Sequence, residues 1–311
     1  MAARIRIGTC SFADDALTKY WYPKGVRSGE QRLRYYAEHF DTVEIDSTFY
    51  RLPEPQTTAN WAERTPDDFV FHIKAFAPMT RHPVKLEQIS PDLRDGLETD
   101  ARGRVERPPR EWRDEIFRRF REALDPIREA GKLGGILMQL APYVVYKDLS
   151  LEYLEWASEQ LGDDEMLVEF RHASWLDDEH RADTLAFLEE HRMANVIVDA
   201  PRKEGAKNLI PTVVAVTAPT AYVRMHGRNA RTWNVRGGSA SDRFDYLYSE
   251  EELEEWIEPL GRIAEESEQA YVLFNNNRWS PSPSDPSVTT AQAPANAATL
   301  ASLLDRAGVP T

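Results

Sequence analysis

Eight short apolar runs, rich in Val, Ile and Phe, recur along this 311-residue chain, and amphipathic segments separate most of them. The runs cover residues 4–10 (RIRIGTC), 42–49 (TVEIDSTF), 70–75 (VFHIKA), 135–140 (GILMQL), 166–170 (MLVEF), 196–200 (VIVDA), 221–227 (AYVRMHG) and 270–275 (AYVLFN). Each has the length of a strand. The spacing predicts helices over 30–39, 55–64, 111–131, 149–161, 178–192, 250–267 and 293–307. In the third of these, Phe117, Phe120, Leu124 and Ile127 form one stripe. Strands alternating with helices build βαβ units and a parallel sheet. Eight repeats in a chain of this length fit a closed (β/α)8 TIM barrel, read as one domain over 1–311, better than an open six-stranded sheet.

Three long polar stretches interrupt the pattern. One, about 79–110, follows strand three and carries Pro83, Pro91, Pro108 and Pro109. The others, 229–249 and 278–290, follow strands seven and eight. In a barrel all three leave the C-terminal strand ends, where sites are built. Residues 201–220, with three prolines, offer no clear helix.

Parallel strands buried on both faces should be apolar throughout. Here the strands end in polar groups. Glu44, Asp46 and Thr48 alternate in run two, His72 and Lys74 in run three, Glu169 and Arg171 on one face of strand five, and Arg224 and His226 in run seven. Gln139, Asp199, Asn275 and Asn276 end the others. Burying unpaired charges costs several kcal/mol each. One local ion pair would explain Glu44 or Glu169 taken singly. A common barrel mouth explains them all. His72, deep in its strand, reads as a hydrogen-bonded core histidine. Tyr20, Trp21, Tyr22, Tyr35 and Tyr36 read as core aromatics near helix starts.

The charge is 38 Lys+Arg against 52 Asp+Glu, or −14. That sign disfavours nucleic acid as a partner. The lone Cys10 excludes an internal disulfide and a cysteine-rich zinc module. No apolar run is long enough for a membrane span or a signal peptide, so a cytoplasmic protein is expected. There is no G-x-S-x-G, no P-loop and no G-x-G-x-x-G after a strand. Lys74, Arg171 and Arg224 at one mouth suit a small anionic ligand, because Arg forks match phosphate and carboxylate.

The leading expectation is therefore an enzyme for a phosphorylated or other anionic substrate, with phosphoester hydrolysis first among reactions. Glu44 or Glu169 would be the general base and His226 its acid partner. Lys74, Arg171 and Arg224 would bind substrate, supported by Asp46, Gln139, Asp199, Asn275 and Asn276. A second reading is a metal-dependent sugar isomerase or nuclease with Glu44, Glu169, Asp199 and His226 as ligands. It is disfavoured because the cations compete for the carboxylates. A third is a non-catalytic protein that binds a metabolite or a partner. The fold decides among none of them.

Several stretches resemble the YecE-like family, the domain of unknown function 72. They include IGTCSF at 7–12, WYPKG at 21–25, the run YYAEHFDTVEIDSTFYRL at 35–52, VEFRHASW at 168–175, IVDAP at 197–201, AYVRMHGR at 221–228 and YVLFNNN at 271–277. They span nearly the whole chain in the family's order. The resemblance implies a single TIM barrel and no particular reaction. Three departures stand out. Thr9–Cys10–Ser11–Phe12 replaces a T-S-G-W type sequence, Asp46 stands where Asn is frequent, and the segment at 79–110 is longer than is typical.

Overall fold

Eight strands form a closed parallel barrel in the computed structural model, which describes residues 2–201, 209–231 and 243–311. Parts of the polar stretches expected at 201–220 and 229–249 lie outside the described residues. In chain order the barrel strands are β1 (Ile5–Thr9), β2 (Thr42–Ile45), β3 (Val70–Lys74), β4 (Leu133–Gln139), β5 (Met166–Glu169), β6 (Ala194–Asp199), β7 (Thr220–Met225) and β8 (Gln269–Phe274). Each pairs with its sequence neighbours, and β8 closes on β1. The TIM-barrel expectation holds. The main boundary difference is β2, which ends at Ile45. Residues 47–49, expected to continue the strand, turn into a 3-10 helix (Ser47–Phe49), where the Thr48 hydroxyl donates to the carbonyls of Ile45 and Lys74.

The helices are α1 (Asp15–Tyr20), α2 (Gly29–Ala37), α3 (Pro55–Glu63), α4 (Arg110–Glu129), α5 (Asp148–Leu161), α6 (Arg181–Glu190), α7 (Glu250–Glu254), α8 (Ile257–Glu266) and α9 (Gln292–Arg306). Two details differ from expectation. α1 forms where no helix was read, because Asp14 caps it by accepting from the N–H groups of Ala16 and Leu17. The helix expected over 250–267 is two, α7 and α8. Among the described residues no helix is long and apolar enough to cross a membrane.

Strand parity sorts the side chains. Leu137, Leu167, Val196, Val198, Tyr222, Tyr271 and Leu273 form a cluster inside the barrel. Val43, Phe71, Ile136 and Val168 face outward against the helices. The segment after β3 is packed rather than loose. Val84–Lys85 pairs antiparallel with Arg104–Val105. Met79, Ile89 and Leu93 are buried, and Trp112 donates through Nε1 to the Leu93 carbonyl at 2.8 Å.

The closing seam between β1 and β2 is thin. One residue pair, Thr9 with Val43, joins them. Tyr36 of α2 bridges the two edges. Its hydroxyl accepts from the Thr9 N–H at 2.9 Å and donates to the Thr42 carbonyl at 3.2 Å. Tyr36 is therefore core, as read, but also a seam clamp.

His72 departs from expectation in the opposite sense. It is fully buried between Tyr222 and Tyr271, with ring centroids at 4.7 and 4.2 Å, yet neither ring nitrogen has a hydrogen-bond partner. Gly134 makes room for the ring, since a Cβ there would come within 2.7 Å of His72 Cε1. Burial alone pulls the imidazole down to about 3.

Two outcomes follow from these packing facts. Tyr36→Phe should lower stability by about 1–3 kcal/mol in urea unfolding, because it leaves buried seam groups unsatisfied. An unchanged midpoint would show that the hydroxyl does not hold the seam. His72 is neutral when folded and readily protonated when unfolded. Its contribution is fully present above about pH 6.5 and is lost as pH falls toward about 3. His72→Leu should therefore lose about 1–3 kcal/mol less than the native chain between about pH 6.5 and about pH 4. Parallel stability–pH curves for the two proteins would contradict this.

Candidate active site

Inward parity at the C-terminal strand ends assembles one charged cluster. Arg224 of β7 is 1% exposed and lies between two fully buried carboxylates. It reaches across the barrel to Glu44 of β2, donating from Nε to Oε2 at 2.9 Å and from NH2 to Oε1 at 2.7 Å. Through NH1 it donates to Glu169 Oε2 of β5. Tyr222, two residues earlier on β7, donates its hydroxyl to Glu44 Oε2 at 3.0 Å. Cys10, just past β1, sits 3.7 Å from Arg224 NH2. Its thiol is pushed well above the usual range by burial and by Glu44.

Glu169 Oε1 collects the remaining donors. Gln139 Nε2 lies at 2.8 Å, Arg171 NH1 at 3.1 Å and His226 Nε2 at 3.2 Å. Burial opposes the charge on Glu169. Arg224, His226 and Arg171 outweigh it and hold the carboxyl well below the ordinary carboxylate range. Asn275 Nδ2 lies 2.9 Å from His226 Nδ1. A donor there leaves the proton of neutral His226 on Nε2, facing Glu169. Burial pulls His226 down to about 4, so it is neutral at neutral pH.

Above this network sit the groups with more freedom. Lys74, at the end of β3, places Nζ 4.6 Å from the centroid of the Phe49 ring. It makes no ion pair or hydrogen bond among the described residues. Burial and the nearby Arg224 charge pull its ammonium below the usual range. Asp46, half-buried at the end of β2, is raised to about 6 by burial, against the pull of Lys74. His82 enters from the segment after β3. Its ring lies 5.0 Å from Phe49, and Nδ1 is 2.8 Å from Thr80 Oγ1. Burial, Lys74 and Arg171 draw it down to about 4.

Nine of the expected residues meet here: Glu44, Asp46, Lys74, Gln139, Glu169, Arg171, Arg224, His226 and Asn275. Two do not. Asp199 points outward, because Val196 and Val198 take the inward positions of β6. Its carboxylate accepts from Arg228 Nε, shared between both oxygens, and NH2, from the Tyr248 hydroxyl and from Trp256 Nε1. It therefore ties β6 to the chain around α7 and α8. Asn276 also points outward and donates to the Tyr246 carbonyl and to Asn296 Oδ1, both at 2.8 Å. With Asp199 elsewhere and both glutamates on Arg224, the four residues of the metal reading do not form a ligand set. Among the described residues no group of three or more His, Cys, Asp and Glu could hold a metal ion.

Sequence reading missed Tyr222, Cys10, Phe49 and His82. Tyr222 shares the face of Arg224 at period two, so parity could have found it. Cys10 follows the inward positions of β1 in the same way. His82 lies in irregular chain, where no periodicity marks a side chain's direction.

Comparison with known proteins gives the same fold. The family model described as "Protein of unknown function DUF72" matches residues 6–310. The UPF0759 protein YunF of Bacillus subtilis is 31% identical over 261 residues, which is 82% of this chain and 84% of that protein. YecE of Escherichia coli K12 is 41% identical over 70 residues, 22% of this chain and 25% of that protein. A DUF72 family protein from Thermotoga maritima has a TM-score of 0.73 at 28% identity, covering 97% of this chain and 99% of that one. One from Enterococcus faecalis has a TM-score of 0.76 at 24% identity, covering 97% and 95%. The match over almost the entire length agrees with the motifs at 35–52 and 168–175, and the chain belongs to the DUF72 family and is similar to YunF and YecE.

Proposed function

We propose that the barrel mouth is the active site of a cytoplasmic enzyme acting on a small phosphorylated or otherwise anionic substrate, with phosphoester hydrolysis as the leading reaction. The observation that carries this reading is Lys74. A half-buried ammonium that makes no ion pair or hydrogen bond among the described residues, beside an already positive Arg224, is a poor way to stabilise a fold. It is a good way to receive an anion, whose charge would restore the ammonium.

The chemistry divides between two layers. Glu44 and Glu169 act as anchors that orient Arg224, because a carboxylate held ionised by a guanidinium is a weak base. His226, neutral and donating to Glu169, orients that carboxylate. Arg171 and Lys74 hold the substrate anion. Asp46 takes the proton-transfer role first assigned to Glu44, Glu169 and His226, since a carboxyl raised to about 6 changes state near neutral pH. Ionised Asp46 accepts a proton from the attacking water as the new P–O bond forms. The ester P–O bond breaks, the departing alkoxide takes a proton from solvent, and Asp46 releases the proton it accepted to solvent, which restores the starting state.

The test uses thermal unfolding with phosphate and phosphate monoesters, followed by assay of released phosphate. A ligand at about 100 times its Kd stabilises by about 2.7 kcal/mol. Lys74→Met should abolish that rise. Asp46→Asn should keep the rise and lose about 100-fold or more of the turnover. The native rate should climb as pH passes through about 6, where Asp46 ionises. Undiminished phosphate stabilisation in Lys74→Met would overturn the assignment. Binding without any turnover would favour a non-catalytic metabolite-binding protein. Stabilisation by divalent cations alone would favour the metal-dependent reading.

A further inference from the structure

A second cationic site lies outside the barrel interior. The segment after β3, the loop after β4 and the starts of α4 and α5 enclose a cleft of about 730 Å³. Besides Arg104, five cations line it: Arg81, Arg107, Arg110, Arg113 and Lys147. None of their side chains makes an ion pair or hydrogen bond among the described residues. Arg104, in the same wall, is instead neutralised by Asp100 and Glu106. The one unpaired acid in the lining is Glu152. Such a concentration of uncompensated positive charge is unexpected in a chain of net charge −14.

The guanidinium groups are laid on an aromatic floor. Arg81 lies 3.9 Å from the Tyr153 ring centroid. Arg113 lies 5.3 Å and Arg110 5.8 Å from that of Trp156. Tyr153 is itself held by donating to the Met79 carbonyl at 2.7 Å. Cation–π contact fixes each plane and leaves its N–H edge for an anion. Arg113 Nε is buried without a partner. Burial and the charges of Arg113 and Arg107 pull Arg81 below its usual range, as expected where the positive charges are not offset.

We infer that this cleft is a ligand site for a small molecule carrying a di- or triphosphate chain, bound by the arginine forks. The argument does not rest on the reading of the barrel mouth. A cleft of this volume suits a small ligand. The surface of α4 and α5 beyond the cleft is acidic on balance, with Glu111, Asp114, Glu115, Glu122, Asp125 and Glu159 against Arg118 and Arg121, so a long polyanion running past would meet net negative charge. Tyr143, 62% exposed at the rim, offers a face for a planar ring. The shared chemistry is therefore a polyphosphate chain, either inorganic or on a nucleoside.

Isothermal titration of the full chain with tripolyphosphate and with a nucleoside triphosphate, at about 0.15 M salt, tests this. Arg107→Glu with Lys147→Glu changes two exposed side chains and should fold. It should weaken the cleft binding of both ligands about tenfold or more, whereas Lys74→Met, which alters the barrel mouth, should leave binding at the cleft in place. Equal affinities would mean the phosphate chain alone is read. A tighter nucleoside triphosphate would add a ring contact at Tyr143. The inference fails if neither ligand binds, or if the double variant binds equally well. It also fails if Lys74→Met alone abolishes binding, which would place the phosphates in the mouth. Tighter binding of a single-stranded oligonucleotide than of either small ligand would overturn it too.

Discussion

A single guanidinium shared by two carboxylates organises the top of this barrel. Arg224 ties β7 to β2 through Glu44 and to β5 through Glu169, all three groups lying out of water. Ions removed from water are tolerated when every lone pair and proton is used, and here nearly all are. One cation against two anions still leaves a negative remainder. Arg171, bound to Glu169, cancels it. Lys74 is then in excess, and Asp46, whose carboxyl feels the Lys74 charge, can balance it by losing a proton. The inner network thus leaves the outer pair, Lys74 and Asp46, with shifted proton affinities. The proposed reading gives binding and proton transfer to that pair because Glu44 and Glu169 are already committed to Arg224.

The fold was readable because burial on both faces leaves a strong imprint in short strands. Every barrel strand lay inside or beside an expected apolar run. The site was readable to the extent that parity was applied. Glu169 and Arg171 share a face at period two, and so do Arg224 and His226. Asp199 and Asn276 were drawn in because they end their strands, although Val198 and Asn275 hold the inward positions beside them. Strand ends converge on a mouth, but only alternate side chains enter it. His72 shows another limit. Sequence marks a buried histidine without showing whether its nitrogens find partners. That depends on Tyr222 and Tyr271, 150 and 199 residues away in the chain.

The segment after β3 was legible as an insertion and illegible as a structure. Its order comes from dispersed contacts, such as Trp112 on the Leu93 carbonyl, that carry no periodic signal. The chain turns sharply where the two charged regions meet. Arg81 adopts a left-handed conformation, φ 65°, outside the 3-10 helix Ala77–Thr80. That turn sends Arg81 toward Tyr153 in the outer cleft and lets His82, the next residue, lie by Phe49 near Lys74. Two adjacent residues therefore face two separate concentrations of positive charge.

Net charge misleads about both regions for one physical reason. The field of the whole chain, −14, acts at long range and is screened over about 8 Å at physiological salt. Recognition of a phosphate happens within hydrogen-bond distance, inside that length. There the sign is set by which acids are already paired. Glu44 and Glu169 are spent on Arg224 and its neighbours, Asp100 and Glu106 on Arg104, and Asp199 on Arg228. The side chains of Lys74 and the Arg113 group make no such ion pairs among the described residues. An acidic protein presents cationic sites when its acids are used up elsewhere, and the pairing pattern is a property of the folded chain rather than of its composition.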